Sequence, residues 1–157
     1  MLIKEIFVRE LLKFDLREVV FITPNLGYKV LDPLRSILKE RFIDCGVAEQ
    51  LAIGLAVGFA KSGFLPIVYT ICPFFLRAYE QIRNDVAYSN LKVLLVGVGS
   101  GKTYSMQGYS HYGIEDGKAI ALLPNFKVFS PENNREIQKA LNEAFQSDGP
   151  VYLRLKR

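Results

Sequence analysis

RFIDCGVAEQLAIGLAVGFAKSG, Arg41 to Gly63, reads as a short apolar strand, a glycine-containing turn and an Ala/Gly-rich helix that opens with Glu49 and Gln50. Arg41 to Cys45 has strand length and Val47 to Ser62 has helical length. The same pairing recurs on either side. Runs rich in Val, Ile and Phe predict further strands at Val19 to Thr23, Leu65 to Thr70, Lys92 to Val98, Phe126 to Ser130 and Val151 to Leu155. Amphipathic spacing predicts helices at Leu2 to Phe14, Pro73 to Tyr88 and Asn134 to Ser147, with shorter ones near Pro33 to Lys39 and Ile114 to Leu123. Strands alternating with helices imply an α/β fold: a single doubly wound, mainly parallel sheet with helices on both faces. Ligands of such sheets sit beyond the carboxyl ends of the strands, so the segments after Cys45, Thr70 and Val98 are where chemistry belongs.

The 157 residues, half of them hydrophobic, suffice for one sizeable core and are too few for two comfortable domains, so 1–157 is expected to be one domain. No repeat or low-complexity tract interrupts the alternation. The formal charge of +4 comes from 20 basic and 16 acidic residues scattered along the chain, with no run dense enough to track nucleic acid phosphates. Lys4, Glu5, Arg9 and Glu10 break up the N-terminal apolar residues, which excludes a signal peptide or a membrane span there and points to a soluble cytoplasmic protein. Cys45 and Cys72 lack metal-ligand spacing and read as reduced core thiols, and no metal ligands are assigned.

After the strand KVLLVGV comes GSGKT, Gly99 to Thr103, which invites a P-loop reading. The spacing fails, because a P-loop with its Gly-Lys at Gly101 and Lys102 needs a glycine where this chain has Val96. Gly97 leaves one residue too few, and the loop runs on through Tyr104, Ser105, Gly108 and His111 without entering a helix. A triphosphate site is not expected.

Glu49 is a carboxylate opening a helix otherwise built of apolar and small residues. Taken alone, it complements the positive end of the helix dipole, worth about 0.3 to 1 kcal/mol. Three segments in order give it another meaning: Gly46 to Gln50 with the helix that follows, YTICPFFLRAYEQIRND (Tyr69 to Asp85), and GVGSGKTYSMQGYSHYGIED (Gly97 to Asp116). Together they resemble the pyrimidine-binding domain of the transketolase family, which includes deoxyxylulose phosphate synthase, and the likeness spans essentially the whole chain.

That resemblance implies a thiamine diphosphate-binding fold of the pyrimidine type and assigns roles residue by residue. Glu49 matches the glutamate that hydrogen-bonds a ring nitrogen of the aminopyrimidine and holds the proton that favours its imino tautomer, a task for a carboxyl group able to share a proton near neutrality. Ala48, Leu51 and Ala52 are expected to keep it dry. Phe74 matches the aromatic residue stacked on the pyrimidine, its other reading being ordinary core packing; Ile71 stands where the family often has another aromatic residue in that pocket. Arg77 matches an arginine facing the substrate phosphate in the synthase branch, or is a solvated helix residue. His111, the only histidine, matches a substrate-contacting or proton-transferring residue, here with Ser110 in place of the usual Thr and Tyr109 where Pro is common.

The family holds the cofactor's diphosphate through magnesium with a Gly-Asp-Gly motif and a later Asn. Neither Asp116-Gly117, preceded by Glu115, nor Asp148-Gly149 fits that pattern. The resemblance therefore implies a split enzyme, in which a separate pyrophosphate-binding subunit brings Mg2+ and the two chains form a hetero-oligomer acting on sugar phosphates. A non-catalytic partner-binding remnant of the same fold and a synthase-like enzyme are the alternatives. Ala48, Ala52, Ala56 and Ala60, with Gly54 and Gly58 beside them, form a stripe suited either to a subunit interface or to packing on the chain's own sheet.

Overall fold

In a computed structural model, which describes residues 2–156, six strands form one sheet in the order β2-β1-β3-β4-β6-β5, and every neighbouring pair is parallel. The strands are β1 (Val19–Thr23), β2 (Phe42–Asp44), β3 (Leu65–Ile71), β4 (Leu94–Val98), β5 (Lys127–Phe129) and β6 (Val151–Leu155). β1 and β6 keep the bounds that their apolar runs predict, β3 gains Ile71, and the others are trimmed at their ends. The sheet is wholly parallel, where the sequence predicts a mainly parallel one.

Side chains alternate across the sheet with the period of two that a pleated strand imposes. Val19 and Phe21, Ile67 and Tyr69, Leu94 and Val96, and Leu153 and Leu155 join one buried cluster with Phe7, Leu11, Leu34 and Leu141. Those partners lie on helices α1 (Ile3–Leu11), α2 (Asp32–Leu38) and α6 (Asn134–Gln146). Val20, Ile22, Val68, Leu95 and Tyr152 face the other way, onto a second cluster with Ala52, Ile53, Phe75, Ile82 and Ile120. This face is covered by α3 (Glu49–Lys61), the 72–87 segment with its short helix α4 (Tyr79–Gln81), and α5 (Asp116–Ala121). Because both faces are covered, the central strands are buried along their whole length and read as continuous apolar runs.

Ala52 and Ala56 are wholly buried in the second cluster, while Gly54 and Gly58 are exposed and a Cβ added to either would meet nothing within 4 Å. The small-residue stripe thus splits by face: its alanines bring α3 close to its own sheet, and its glycines leave a smooth outer surface.

α1 and α6 are joined at Glu10, which is 1% exposed and accepts hydrogen bonds from Lys13 at 2.6 Å, Gln138 at 2.7 Å and Arg9 at 3.1 Å. The Lys13 and Gln138 bonds hold its carboxyl down at about 2 against the opposing effect of burial. α6 opens on Asn133, whose side chain accepts from the Glu136 backbone at 3.1 Å.

The single helix expected from Pro73 to Tyr88 is not formed. Cys72–Ala78 is a 3-10 helix, a short α-turn follows, and Ile82–Ala87 is a π-helix. Cys72, Phe75 and Ala78 are the buried residues of the first part, a spacing of three that matches the three residues per turn of a 3-10 helix. Pro73 contributes, since it lacks an N–H and pushes the residue before it away from the α region.

Candidate functional site

β2 and β3 lie on opposite sides of β1, so α3 crosses over β1 to link them. The crevice where strand order reverses is the expected ligand site of an open α/β sheet. Asp44 shapes its rim by accepting the backbone N–H of Asn25 at 3.0 Å and of Gly46 at 3.1 Å, which ties the loops after β1 and β2 together.

Glu49 is the first residue of α3, and no side chain caps that helix. Its side chain is only 5% exposed, and one carboxylate oxygen lies 3.3 Å from Nε of Arg77, a residue that is itself 70% exposed. A cavity of about 430 Å3 is lined by Val47, Ala48, Glu49, Gln50, Leu51 and Arg77. Leu51, expected to wall Glu49 from water, is 53% exposed and stands at the cavity rim. Glu49 is buried all the same, on a helix that packs onto the 72–78 segment and β3.

That 3-10 segment organises the site. Residues three apart eclipse in a 3-10 helix, so Phe74 and Arg77 share one side, distinct from that of the buried Cys72, Phe75 and Ala78. Arg77 reaches Glu49. Phe74 packs against the first core cluster, to which Ile71 at the end of β3 belongs, and meets the His111 ring edge to face with centroids 5.1 Å apart. Nδ1 of His111 lies 3.0 Å from Oγ of Ser110. The fold therefore brings together Glu49 with Arg77, and Phe74 with His111, through one short segment.

The GSGKT stretch forms no phosphate-binding turn before a helix. It continues into single 3-10 turns at Ser105–Gln107 and Tyr109–His111, and the next α-helix begins only at Asp116. Lys102 is exposed, with its ammonium 5.7 Å from the Tyr112 ring centroid. Lys102→Ala is expected to lower stability by at most about 1 kcal/mol, the worth of an exposed contact of this kind, and ATP is not expected to bind there. Protection of the chain by ATP against thermal unfolding in a Lys102-dependent way would contradict this.

A buried polar cluster lies beneath the site, and the sequence patterns do not single it out, because Asp116 enters them only as the end of the third family-like segment and as part of a failed magnesium motif. Asp116 is wholly buried and accepts from Tyr152 Oη at 2.6 Å, Arg154 Nε at 2.7 Å and Arg154 Nη2 at 3.1 Å. Desolvation works against the charge of Arg154, but the hydrogen bonds and charge of Asp116 outweigh it and raise the guanidinium above its ordinary value. Burial pushes the Cys72 thiol up to about 12, so it stays protonated at neutral pH and is no nucleophile. A signal for this cluster is present all the same: Arg154 is a charge inside the apolar strand VYLRL, and a buried charge demands a partner.

Among the described residues, no group of three or more His, Cys, Asp or Glu side chains could hold a metal ion, and no helix is long and apolar enough to cross a membrane.

Comparison with known proteins gives a consistent set of relatives. The family described as "Transketolase, pyrimidine binding domain" matches residues 10–157. A 1-deoxy-D-xylulose-5-phosphate synthase of Synechococcus sp. strain CC9605 is 36% identical over 81% of this chain, which covers 20% of the synthase. One subunit of the apulose-4-phosphate transketolase of Actinobacillus succinogenes is 34% identical over 74% of this chain and 38% of its own length. Among solved structures, a split gene transketolase described as an inactive beta4 tetramer superposes with a TM-score of 0.85 at 31% identity, covering 98% of this chain and 50% of the other. Transketolase from Campylobacter jejuni shares the fold, with a TM-score of 0.86 at 23% identity. The chain thus spans about a fifth of the synthases and under half of the apulose-4-phosphate transketolase subunit.

Proposed function

Because the chain belongs to the transketolase family as its pyrimidine-binding domain, we propose that it is one subunit of a split thiamine diphosphate enzyme that transfers a two-carbon ketol unit between sugar phosphates. Glu49 carries this reading. A carboxylate buried at the start of a 13-residue helix, lining a cavity at the strand-order reversal and paired with a largely exposed Arg77, is placed to hold a proton against a ligand there.

The residues present fit the aminopyrimidine end of the cofactor. Glu49 offers a carboxylate that can hold a proton against a ring nitrogen, and Phe74 offers a flat apolar ring on the neighbouring segment, backed by the cluster containing Ile71. When bound, thiamine diphosphate supplies the nucleophilic carbon that attacks the donor sugar. Glu49 governs the proton on the pyrimidine nitrogen, and its burial keeps water from competing for that proton. Arg77 and His111 stand beside these two residues as a cation and a hydrogen-bonding imidazole suited to an anionic, hydroxylated substrate.

No Gly-Asp-Gly stretch is present to bind the diphosphate and magnesium. The similarity to a split gene transketolase and to one subunit of an apulose-4-phosphate transketolase supports a separate partner chain for that half. The exposed Val47 and Leu51 at the Glu49 cavity, with the exposed Gly54 and Gly58 farther along α3, suit such a partner. A synthase-like reaction is the second reading, favoured by the 36% identity to the Synechococcus enzyme; ketol transfer from a ketose phosphate by the assembled enzyme separates the two.

Titration calorimetry with thiamine diphosphate and magnesium is the direct test. The chain alone should show weak or no binding, and the chain mixed with its partner should bind tightly. Tight binding by the chain on its own would rule out the split site.

A further inference from the structure

Arg154 connects three things that the fold brings to one place. Its Nε and Nη2 grip Asp116, Nη2 also donates to the Gly113 carbonyl at 2.8 Å, and Nη1 reaches Ser130 Oγ at 3.3 Å. Gly113 is one side of a neck. Gly101 N–H donates to Gly113 O at 2.7 Å and Gly113 N–H donates to Gly101 O at 2.9 Å, which closes the 101–113 loop that carries His111. The Gly113 carbonyl therefore accepts from both the far side of the neck and Arg154.

The same neck rests on the segment that carries Phe74. A Cβ at Gly113 would come 2.8 Å from Cys72 Cβ and 2.9 Å from the Gly99 carbonyl, so only glycine allows this approach. At Gly97, on the strand below, a Cβ would lie 2.6 Å from Tyr152 Oη and 2.8 Å from Cys72 Sγ. The Phe74–His111 ring contact is the outward end of this joint, and the Asp116–Arg154 pair is its buried end.

We propose that Arg154 is a positioning residue: held by Asp116, it pins the Gly113 carbonyl, fixes the neck of the 101–113 loop and thereby sets where His111 stands against Phe74. This role rests on the proposed function only in taking the Phe74–His111 face as the substrate side. The planar guanidinium is suited to the task, because its forked donors hold a carboxylate and a carbonyl in fixed directions at once, whereas one ammonium nitrogen does not reproduce that fork.

His111 is the only histidine in the chain, so its ring-proton NMR signals report the loop without overlap from other histidines. In the free chain, Arg154→Lys is expected to shift and broaden those signals while core methyl signals stay in place. Asp116→Asn/Arg154→Met should do the same; it removes both charges together and avoids leaving one buried alone, so the test survives if the single variant does not fold. In the assembled enzyme, Arg154→Lys should lower kcat about 100-fold, the cost of a misplacement near 1 Å. It should change KM far less, leave Glu49-dependent proton exchange on the cofactor at the wild-type rate, and cost nothing further in a His111→Ala background. His111 signals unmoved in both variants, or an undiminished penalty in the His111→Ala background, would overturn the proposal. Intact turnover in His111→Ala with the signals still displaced by the Arg154 variants would instead reject the substrate role of His111 and leave the positioning role standing.

Discussion

Glu49→Gln is expected to slow hydrogen–deuterium exchange at the thiazolium carbon of the assembled enzyme by about 100- to 10,000-fold, the usual range for losing a general acid–base group. Cofactor binding should survive, because the amide keeps the shape of the side chain and can still hydrogen-bond a ring nitrogen. What it loses is the ability to hold and return a proton. A role limited to complementing the α3 dipole predicts the reverse pattern: stability lower by at most about 1 kcal/mol and an unchanged rate per folded complex. The geometry bears on this choice, since the Glu49 carboxylate is 5% exposed, lines the cavity and lies 3.3 Å from Arg77 on another segment. Exchange by Glu49→Gln at the wild-type rate would end the catalytic assignment and favour a remnant that keeps the fold without the reaction.

Asp116→Ala should be the costliest single change to the fold among the polar residues, lowering stability by about 3 kcal/mol, the lower end for breaking a buried ion pair because Arg154 remains 16% exposed. It strands the guanidinium and leaves the Tyr152 hydroxyl without its acceptor. Asp116→Asn retains an acceptor for both and should cost about 1 to 2 kcal/mol. Urea unfolding followed by circular dichroism measures both. The midpoint should fall while the slope stays unchanged, since the surface exposed on unfolding is the same. A loss under about 1 kcal/mol for Asp116→Ala would show that the cluster does not hold the last strand, the loop and the start of α5 together.

The two predictions fall on opposite sides of what the chain discloses before it folds. Glu49 stands out in the sequence only because its neighbours carry the family pattern, since a carboxylate opening a helix is by itself ordinary dipole complementation. Asp116 is illegible for the same reason of locality: beside Glu115 and Gly117 it looks like a fragment of a metal motif, and its real partners, Tyr152 and Arg154, are 36 and 38 residues away. The Arg77 contact is hidden too, because the pattern from Pro73 to Tyr88 reads as α-helical. Burial every three residues at Cys72, Phe75 and Ala78 is a 3-10 pattern, visible only once the core side is known.

By itself the sequence determined the strands and their alternation with helices, though not the helix type of the 72–87 segment. Val19 to Thr23 and Val151 to Leu155 are strands with the bounds their apolar runs mark, α3 follows β2, and Glu49 opens α3. These follow from backbone periodicity and side-chain size, which act over a few residues. Only the tertiary structure decided the strand order, the splitting of the α3 small residues into a packed and an exposed face, and the joining of Glu49 to Arg77, Phe74 to His111 and Arg154 to Gly113. Those contacts depend on which strands lie side by side, and that order comes from burying both faces of the sheet at once, a condition on the whole chain that no short window of sequence contains.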